Sequence, residues 1–227
     1  DGFGGIRSLE RSRLKRYNGL AMAQRFEIIG GKKLKGSVSV SGSKNAVLPI
    51  LAASLLTTEE VVLDNVPDIA DVRTMITILE ATGAKIEFRN HTVSIDPSKV
   101  KHTQLGHDVC HLRGSIVLLA PLLARCGEVK MAFPGGCVLG RRSVSAHIDA
   151  LEALGAHVKN DRDLLHLKVR HLKGNPRLTM TQISVTATEN AISASVTAEG
   201  TTRIHLAASE PHVQDLCHFL NSMGARI

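Results

Sequence analysis

Aromatic side chains are scarce in this sequence. Its 227 residues include no tryptophan, one tyrosine and five phenylalanines. Proteins that bind single-stranded nucleic acids stack the bases on aromatic rings, so the formal net charge of +7 does not predict a nucleic-acid partner here. The excess of positive charge fits small anionic ligands better.

Long apolar runs are absent as well. The longest, residues 116–124, is far shorter than the roughly 20 residues that a membrane helix needs, so we expect a cytoplasmic protein with no membrane partner. Residues 1–21 hold five basic side chains and no apolar core of a secretory signal. We expect them to be a disordered extension or tag, with the patterned chain beginning at residue 22.

Cysteines are few, and their spacing is not that of a metal site. The four stand at positions 110, 126, 137 and 217, and the eleven histidines form no HExxH motif. A chain of this length without a secretory signal is expected to keep its thiols reduced. The sequence therefore predicts neither disulfides nor a bound metal.

One glycine-rich stretch is predicted to carry chemistry. The sequence Pro134-Gly135-Gly136-Cys137-Val138-Leu139-Gly140-Arg141-Arg142 places a thiol between a glycine pair and an arginine pair. Adjacent glycines let a loop approach a ligand closely, and two guanidinium groups would lower the pKa of the thiol and hold an anion. Cys137 is therefore the candidate catalytic residue. A buried, inert cysteine is the alternative.

The hydrophobic pattern predicts an α/β fold of three repeated βαβαββ units, at about residues 35–100, 101–170 and 171–227. The pairs Gly83-Ala84, Gly155-Ala156 and Gly224-Ala225 recur at intervals of 72 and 69 residues. Strands are predicted at 37–40, 61–63, 85–88, 92–95, 129–133, 157–158, 164–169, 177–181 and 202–206. Helices are predicted at 44–55, 68–82, 114–125, 144–154, 189–198 and 212–223.

The third unit lacks the two strands that follow the Gly-Ala pair in the other units, so we expect the chain to be a fragment.

The repeat also serves as an internal control. At the joint where the second unit has the Pro-Gly-Gly-Cys loop, the sister units read Asn65-Val66-Pro67-Asp68 and Ala208-Ser209-Glu210-Pro211. A structural need that all units share cannot explain a loop found in one.

Several motifs together resemble the UDP-N-acetylglucosamine 1-carboxyvinyltransferase (MurA) family of enolpyruvyl transferases. They are Ser41-Gly42-Ser43-Lys44-Asn45-Ala46, Arg113, Pro134-Gly135-Gly136-Cys137, and Gly140 with Arg142. The resemblance covers residues 22–227. It implies one lobe of a two-lobed, inside-out α/β barrel whose substrates bind between the lobes. A second lobe would be supplied in cis or in trans and would pack with residues 22–40.

The resemblance also implies an activity, the transfer of the enolpyruvyl group of phosphoenolpyruvate to the 3-hydroxyl of UDP-N-acetylglucosamine. Phosphate leaves, no metal or organic cofactor takes part, and peptidoglycan synthesis begins. Cys137 corresponds to the family's acid, which fosfomycin alkylates. The residues that correspond to the family's substrate-binding positions are Lys44, Asn45, Arg113, Arg142, Ser143, Val144, Ser145, Ala146, Gln182, Ile183, Ser184 and Val185.

Four positions depart from the family pattern. Ser143 and Ser145 stand where proline and aspartate are usual, Gln182 where lysine is frequent, and Thr186 where glycine is common. The changes at Ser143, Ser145 and Gln182 favour a second hypothesis, a non-catalytic relative that binds nucleotide sugars or acts as a scaffold.

Other polar residues have a structural interpretation. Without the resemblance, Lys44 reads as a solvated lysine at a helix end and Arg113 as a flank of an apolar helix. We interpret His147, Asp149 and Glu189 as structural or solvated, and Glu210 as the cap of the last helix.

Overall fold

The computed structural model describes residues 28–106, 112–133, 143–161 and 164–227. It divides into two compact units, Asp1–Ser39 and Val40–Ile227. In the first, residues 28–39 form no helix or strand, and the side chains of Ile28, Ile29, Leu34 and Val38 are 86–93% exposed. The strand predicted at 37–40 is therefore wrong for this chain, because a strand needs a hydrogen-bonded neighbour and no described segment pairs with these residues.

The second unit alternates helices and short strands. Its helices are α1 (Lys44–Ala53), α2 (Ala70–Thr82), α3 (Leu119–Cys126), α4 (Ser145–Ala153), α5 (Val185–Ser195) and α6 (Pro211–Ser222), with 3-10 helices at Ser54–Leu56 and Arg113–Leu118. Its strands are β1 (Val61–Leu63), β2 (Lys85–Arg89), β3 (Thr92–Asp96), β4 (Gln104–Leu105), β5 (Glu128–Ala132), β6 (His157–Asp161), β7 (Leu164–Lys168), β8 (Leu178–Thr179) and β9 (Ile204–His205).

The strands form one small sheet for each repeat. The order is β1-β3-β2 in the first, β4-β5-β7-β6 in the second and β8-β9 in the third. β3 pairs antiparallel with both neighbours, as does β7, whereas β4–β5 and β8–β9 are parallel. The β2–β3 hairpin turns at Asn90 and His91, whose φ angles of 49° and 63° are those of a tight turn that follows the strand twist.

The repeat predicted from the Gly-Ala pairs is present in the backbone. Gly83, Gly155 and Gly224 have φ angles of 105°, 97° and 102°. Each follows a helix, where a left-handed residue lets the chain leave, and glycine adopts that conformation without a Cβ penalty. One local signal therefore ends the second helix of all three units.

The helices pack against one another, and α2, α3 and α4 also pack against strands. A large core includes Leu51, Met75, Leu122, Met131 and Leu165, each fully buried, and α6 closes a smaller cluster through Val213, Leu216 and Leu220. Across the described ranges, every helix is too short or too polar to cross a membrane.

Two predicted helices differ in detail. The predicted helix at 114–125 begins as a 3-10 helix at Arg113 and becomes α-helical at Leu119. The predicted helix at 189–198 begins earlier, at Val185, because the Ser184 hydroxyl accepts a hydrogen bond from the Ala187 amide and caps the first turn.

Candidate functional site

Residues 134–142 lie outside the described residues. The predictions that Cys137 is catalytic and that Arg142 contacts substrate therefore stay predictions. The remaining candidate residues all stand where a helix begins: Lys44 and Asn45 at α1, Arg113 at its 3-10 helix, Ser143 to Ala146 at α4, and Gln182 to Val185 at α5.

The start of α1 is fixed by a serine cap and a close backbone contact. The Ser43 hydroxyl accepts a hydrogen bond from the Ala46 amide over 3.4 Å. A Cβ on Gly42 would lie 1.9 Å from the carbonyl oxygen of Asn65, so only glycine fits there. The exposed Asn45 side chain follows directly, and these contacts set where it and Lys44 stand.

The ammonium group of Lys44 forms an ion pair. Its Nζ lies 2.6 Å from Oδ2 of Asp71 in the first turn of α2, and the two side chains are 50% and 36% exposed. Lys44 is therefore a held charge at the surface rather than a freely solvated one, and the sequence reading missed Asp71.

Arg113 begins the 3-10 helix next to a tight helix contact. A Cβ on Gly114 would lie 3.1 Å from Cδ1 of Leu48 on α1. The backbone beside Arg113 thus packs one helical turn beyond Lys44. The Arg113 side chain is partly buried, and its charge helps to lower the pKa of His147 on α4.

The run before α4 is held by its own serines. The Ser143 hydroxyl donates to Ser145 Oγ over 2.8 Å and accepts from the Ser145 amide over 3.0 Å. Val144 is partly buried against the core, and Ala146 is 1% exposed. Ser143 and Ser145 are thus the exposed polar groups of this run, while Ala146 has no accessible side chain for a ligand.

The run before α5 also contains both exposed side chains and side chains that are engaged in local contacts. Gln182 is exposed and Ile183 is 76% exposed. Ser184 is committed to capping, and its carbonyl accepts the Thr188 hydroxyl at 2.8 Å. The neighbouring Thr181 hydroxyl donates to Asp149 Oδ2 on α4 over 2.7 Å, which ties this run to the previous one.

A buried polar network that the sequence reading missed lies beneath these runs. His147 is 5% exposed, with Nδ1 2.8 Å from the Asn190 amide nitrogen and Nε2 3.2 Å from the Thr186 hydroxyl. Asn190, which is fully buried, also donates to the Ile116 carbonyl and accepts from the Ala120 amide. Burial lowers the pKa of His147 to about 4, with a further contribution from Arg113. The sequence contained one indication of this network, because His147 is a polar residue on the apolar face of a predicted helix.

Glu189 is a second buried titratable group. It is 2% exposed, and burial together with the charge of Glu210 raises its pKa to about 7. Of the two interpretations of His147 and Glu189, structural or solvated, burial supports the structural one. Glu210 is the N-cap residue of α6, as predicted, although its side chain makes no capping hydrogen bond within the described residues. Its carbonyl accepts the amides of Val213 and Gln214, and Pro211 at the first position sets the helical φ.

Metal ligands do not cluster in the part of the chain that the structure describes, where no three His, Cys, Asp or Glu side chains come together. The absence of a metal stays a prediction, because His107, Cys110 and His111 stand within five residues of one another outside that part. The described thiols Cys126 and Cys217 are free, and burial raises the pKa of each.

Curated relatives match most of this chain with about half of their own length. The UDP-N-acetylglucosamine 1-carboxyvinyltransferase of Dichelobacter nodosus is 45% identical over 206 residues, which are 90% of this chain and 49% of that protein. The protein of the same name from Coxiella burnetii is 46% identical over 202 residues, 88% of this chain and 46% of that protein. The Helicobacter pylori protein of that name is 44% identical over 205 residues, 89% of this chain and 48% of its own.

Solved structures share the fold at low sequence identity. The enolpyruvyl transferase NikO from Streptomyces tendae covers 87% of this chain with 47% of its own, at a TM-score of 0.72 and 22% identity. An EPSP synthase from Acinetobacter baumannii covers 82% with 44% of its own, at a TM-score of 0.64 and 17% identity. The predicted α/β enolpyruvyl transferase fold is thereby confirmed.

The family model described as EPSP synthase (3-phosphoshikimate 1-carboxyvinyltransferase) matches residues 28–227. This range contains the whole described part of the second unit, including all four helix starts that carry candidate residues. The resemblance predicted from the sequence motifs is confirmed, and the chain belongs to the EPSP synthase family, the carboxyvinyltransferases.

Proposed function

We propose that this chain is the cysteine-loop part of an enolpyruvyl transferase that acts on phosphoenolpyruvate and UDP-N-acetylglucosamine. The observation that carries the proposal is the 43–46% identity, over about 90% of the chain, to proteins named for that reaction. Such an activity serves peptidoglycan synthesis and places the protein in the cytoplasm. A second lobe completes the cleft, since the chain spans about half of these relatives.

The described geometry supports a division of roles between the helix starts. The reaction needs a proton on the methylene carbon and stabilisation of charge at the central carbon. In the proposal Cys137 supplies the proton, while Lys44, Arg113 and Arg142 hold the carboxylate and phosphate. The runs that precede α4 and α5 hold the nucleotide through Ser143, Ser145 and Gln182, the exposed polar side chains there.

A covalent-labelling experiment tests the proposal on this chain. The protein is incubated with fosfomycin, with and without UDP-N-acetylglucosamine, and the cysteines are mapped by mass spectrometry. We expect an adduct on Cys137 that forms faster with the nucleotide sugar, and no adduct on the partly buried Cys126 or Cys217. Equal labelling of all cysteines, or no adduct on Cys137 once a second lobe has been added, would contradict the catalytic role.

A non-catalytic nucleotide-sugar-binding module is the second candidate. It is favoured by Ser143, Ser145 and Gln182, which stand where the family usually has proline, aspartate and lysine. Such a module would bind UDP-N-acetylglucosamine while Cys137 stays unmodified, and when combined with a second lobe it would release no phosphate from phosphoenolpyruvate.

A further inference from the structure

A hydrogen-bonded pair, His147 and Asn190, joins three of the four helix starts that carry the candidate residues. His147 lies in the first turn of α4, directly after Ala146, and Thr186 lies in the first turn of α5, directly after Val185. Asn190, one turn further along α5, contacts His147 and reaches the backbone of the segment that begins at Arg113. His147 thus contacts α5 directly and the Arg113 segment only through Asn190.

The backbone fixes the orientation of the Asn190 amide. Oδ1 accepts from the Ala120 amide over 3.0 Å, so this atom is the oxygen and Nδ2 is the nitrogen. Nδ2 donates one hydrogen to the Ile116 carbonyl over 2.9 Å. Its second hydrogen points at Nδ1 of His147, 2.8 Å away. Both amide hydrogens of Asn190 are therefore in use, and its oxygen accepts one hydrogen bond.

That orientation also determines the tautomer of the histidine. Nδ1 of His147 faces a donor, so it is the unprotonated acceptor nitrogen. The single proton of the neutral ring is then on Nε2, which donates to the Thr186 hydroxyl over 3.2 Å. A protonated ring would place two N–H donors against each other, which agrees with the lowered pKa of this residue.

We infer that His147, as a neutral Nε2–H imidazole, is a positioning residue that ties the nucleotide-binding runs before α4 and α5 to each other and, through Asn190, to the Arg113 segment. The inference rests on the proposed function, since it assigns those runs to the nucleotide. A binding surface built from three separate elements binds more tightly when its parts are fixed beforehand. Here the fixing bonds belong to two neighbouring side chains, His147 and Asn190, and all are buried except the partly buried bond to Thr186.

The proposed role of His147 depends on its hydrogen bonds rather than on the volume of its side chain. Three variants distinguish these two contributions. His147→Leu keeps the volume and removes both bonds. His147→Gln offers an amide oxygen to Asn190 and an amide nitrogen to Thr186. Thr186→Val, at a partly buried position, removes the acceptor hydroxyl with little change of shape. Ser195→Ala is the matched control, because the Ser195 hydroxyl is buried on the same helix with no partner.

Calorimetric titration of the chain with UDP and with UDP-N-acetylglucosamine tests the inference. We expect roughly tenfold weaker binding in His147→Leu, as for the loss of one or two buried hydrogen bonds. We also expect about threefold weaker binding in Thr186→Val, recovery to within threefold in His147→Gln, and no change in Ser195→Ala. Nitrogen NMR of the wild-type histidines is expected to show the Nε2–H tautomer for His147.

The outcomes distinguish the inference from the function on which it rests. If the wild-type chain binds neither ligand, the proposed function and this inference both fail. If it binds and His147→Leu and Thr186→Val bind equally well, the inference alone is overturned. The same holds if His147→Gln is as weak as His147→Leu, or if the ring is an Nδ1–H tautomer. If His147→Leu does not fold, Thr186→Val and the NMR assignment decide.

Discussion

Lys44 Nζ lies 2.6 Å from Asp71 Oδ2, so the lysine proposed to hold substrate anions already has a carboxylate partner. The two residues begin successive helices, and both are substantially exposed. An ion pair in that setting contributes about 0–1 kcal/mol to stability. The pair is therefore better placed to orient the ammonium group than to hold α1 and α2 together.

Removing the carboxylate tests this arrangement. In Asp71→Asn we expect the free energy of unfolding to change by less than about 1 kcal/mol. Phosphoenolpyruvate should bind a few times more tightly, because its anionic groups no longer compete with Asp71 for Lys44. Lys44→Met should be equally stable but bind phosphoenolpyruvate much more weakly. Urea unfolding and calorimetry measure the two effects, and unchanged affinity in both variants would contradict an anion-binding Lys44.

Two glycines with left-handed backbone allow the cost of a positive φ angle to be compared with the cost of a steric clash. Gly83 and Gly224 have nearly equal φ angles, 105° and 102°. A Cβ on Gly83 would lie 2.7 Å from the Lys99 carbonyl oxygen, whereas nothing lies within 4 Å of one on Gly224. We expect Gly224→Ala to cost roughly 1–2 kcal/mol of unfolding free energy, the cost of the left-handed backbone, and Gly83→Ala to cost clearly more. Equal losses in urea unfolding would show that the close contact relaxes freely.

The order of helices and strands could be predicted from the sequence because it depends on local signals. Apolar periodicity and the glycines at 83, 155 and 224 are properties of short windows. The strand predicted at 37–40 failed for the complementary reason. Alternation of polar and apolar residues indicates a possible strand, but a strand forms only when a neighbouring strand accepts and donates its backbone hydrogen bonds. No described segment supplies that neighbour for residues 37–40.

The polar interior could not be predicted in the same way. His147 and Asn190 are 43 positions apart and meet over 2.8 Å, and nothing local to either residue indicates the other. From the sequence alone, Glu189 could be assigned to the solvent-facing side of its helix, because charged residues on helices usually face water. Glu210, whose charge contributes to the raised pKa of Glu189, comes from later in the chain.

Arg125 forms hydrogen bonds to segments that are distant in the sequence, and substitution tests how much these bonds contribute to stability. At the end of α3 its guanidinium donates to the carbonyls of Leu55 and Pro97 over 2.9 Å and 2.7 Å, and also to that of Thr57. A lysine cannot satisfy three acceptors in that fork geometry. We expect Arg125→Lys to lower the free energy of unfolding by about 2 kcal/mol, as partly buried carbonyls lose partners.

A surface arginine is the control for Arg125. Arg73 pairs with Asp68 through two bonds of 2.6 Å and 2.7 Å, but its side chain is 64% exposed. Arg73→Lys should therefore change the free energy of unfolding by less than about 1 kcal/mol. A loss in Arg73→Lys as large as that in Arg125→Lys would mean that burial does not set the difference.

The two buried titratable groups give stability opposite dependences on pH. The pKa of Glu189 is raised from 4.5 to about 7. Between those values the folded chain keeps a proton that the unfolded chain has lost, so the free energy of unfolding falls as pH rises. The pKa of His147 is lowered from 6.5 to about 4. In that window the unfolded chain binds the extra proton, and stability is lost as pH falls.

Single substitutions should separate these two contributions, which oppose each other between about pH 4.5 and 6.5. Glu189→Gln leaves the His147 contribution, so we expect stability to rise up to pH 6.5 and to exceed that of the wild type at pH 8 by roughly 3 kcal/mol or less. His147→Gln leaves the Glu189 contribution, so stability should fall from pH 4.5 to 7. Glu80→Gln, at an exposed position on α2, is the control. Urea unfolding across this range gives each difference from the wild type, and a Glu189→Gln profile parallel to the wild type would show that the carboxyl ionises freely in the folded chain.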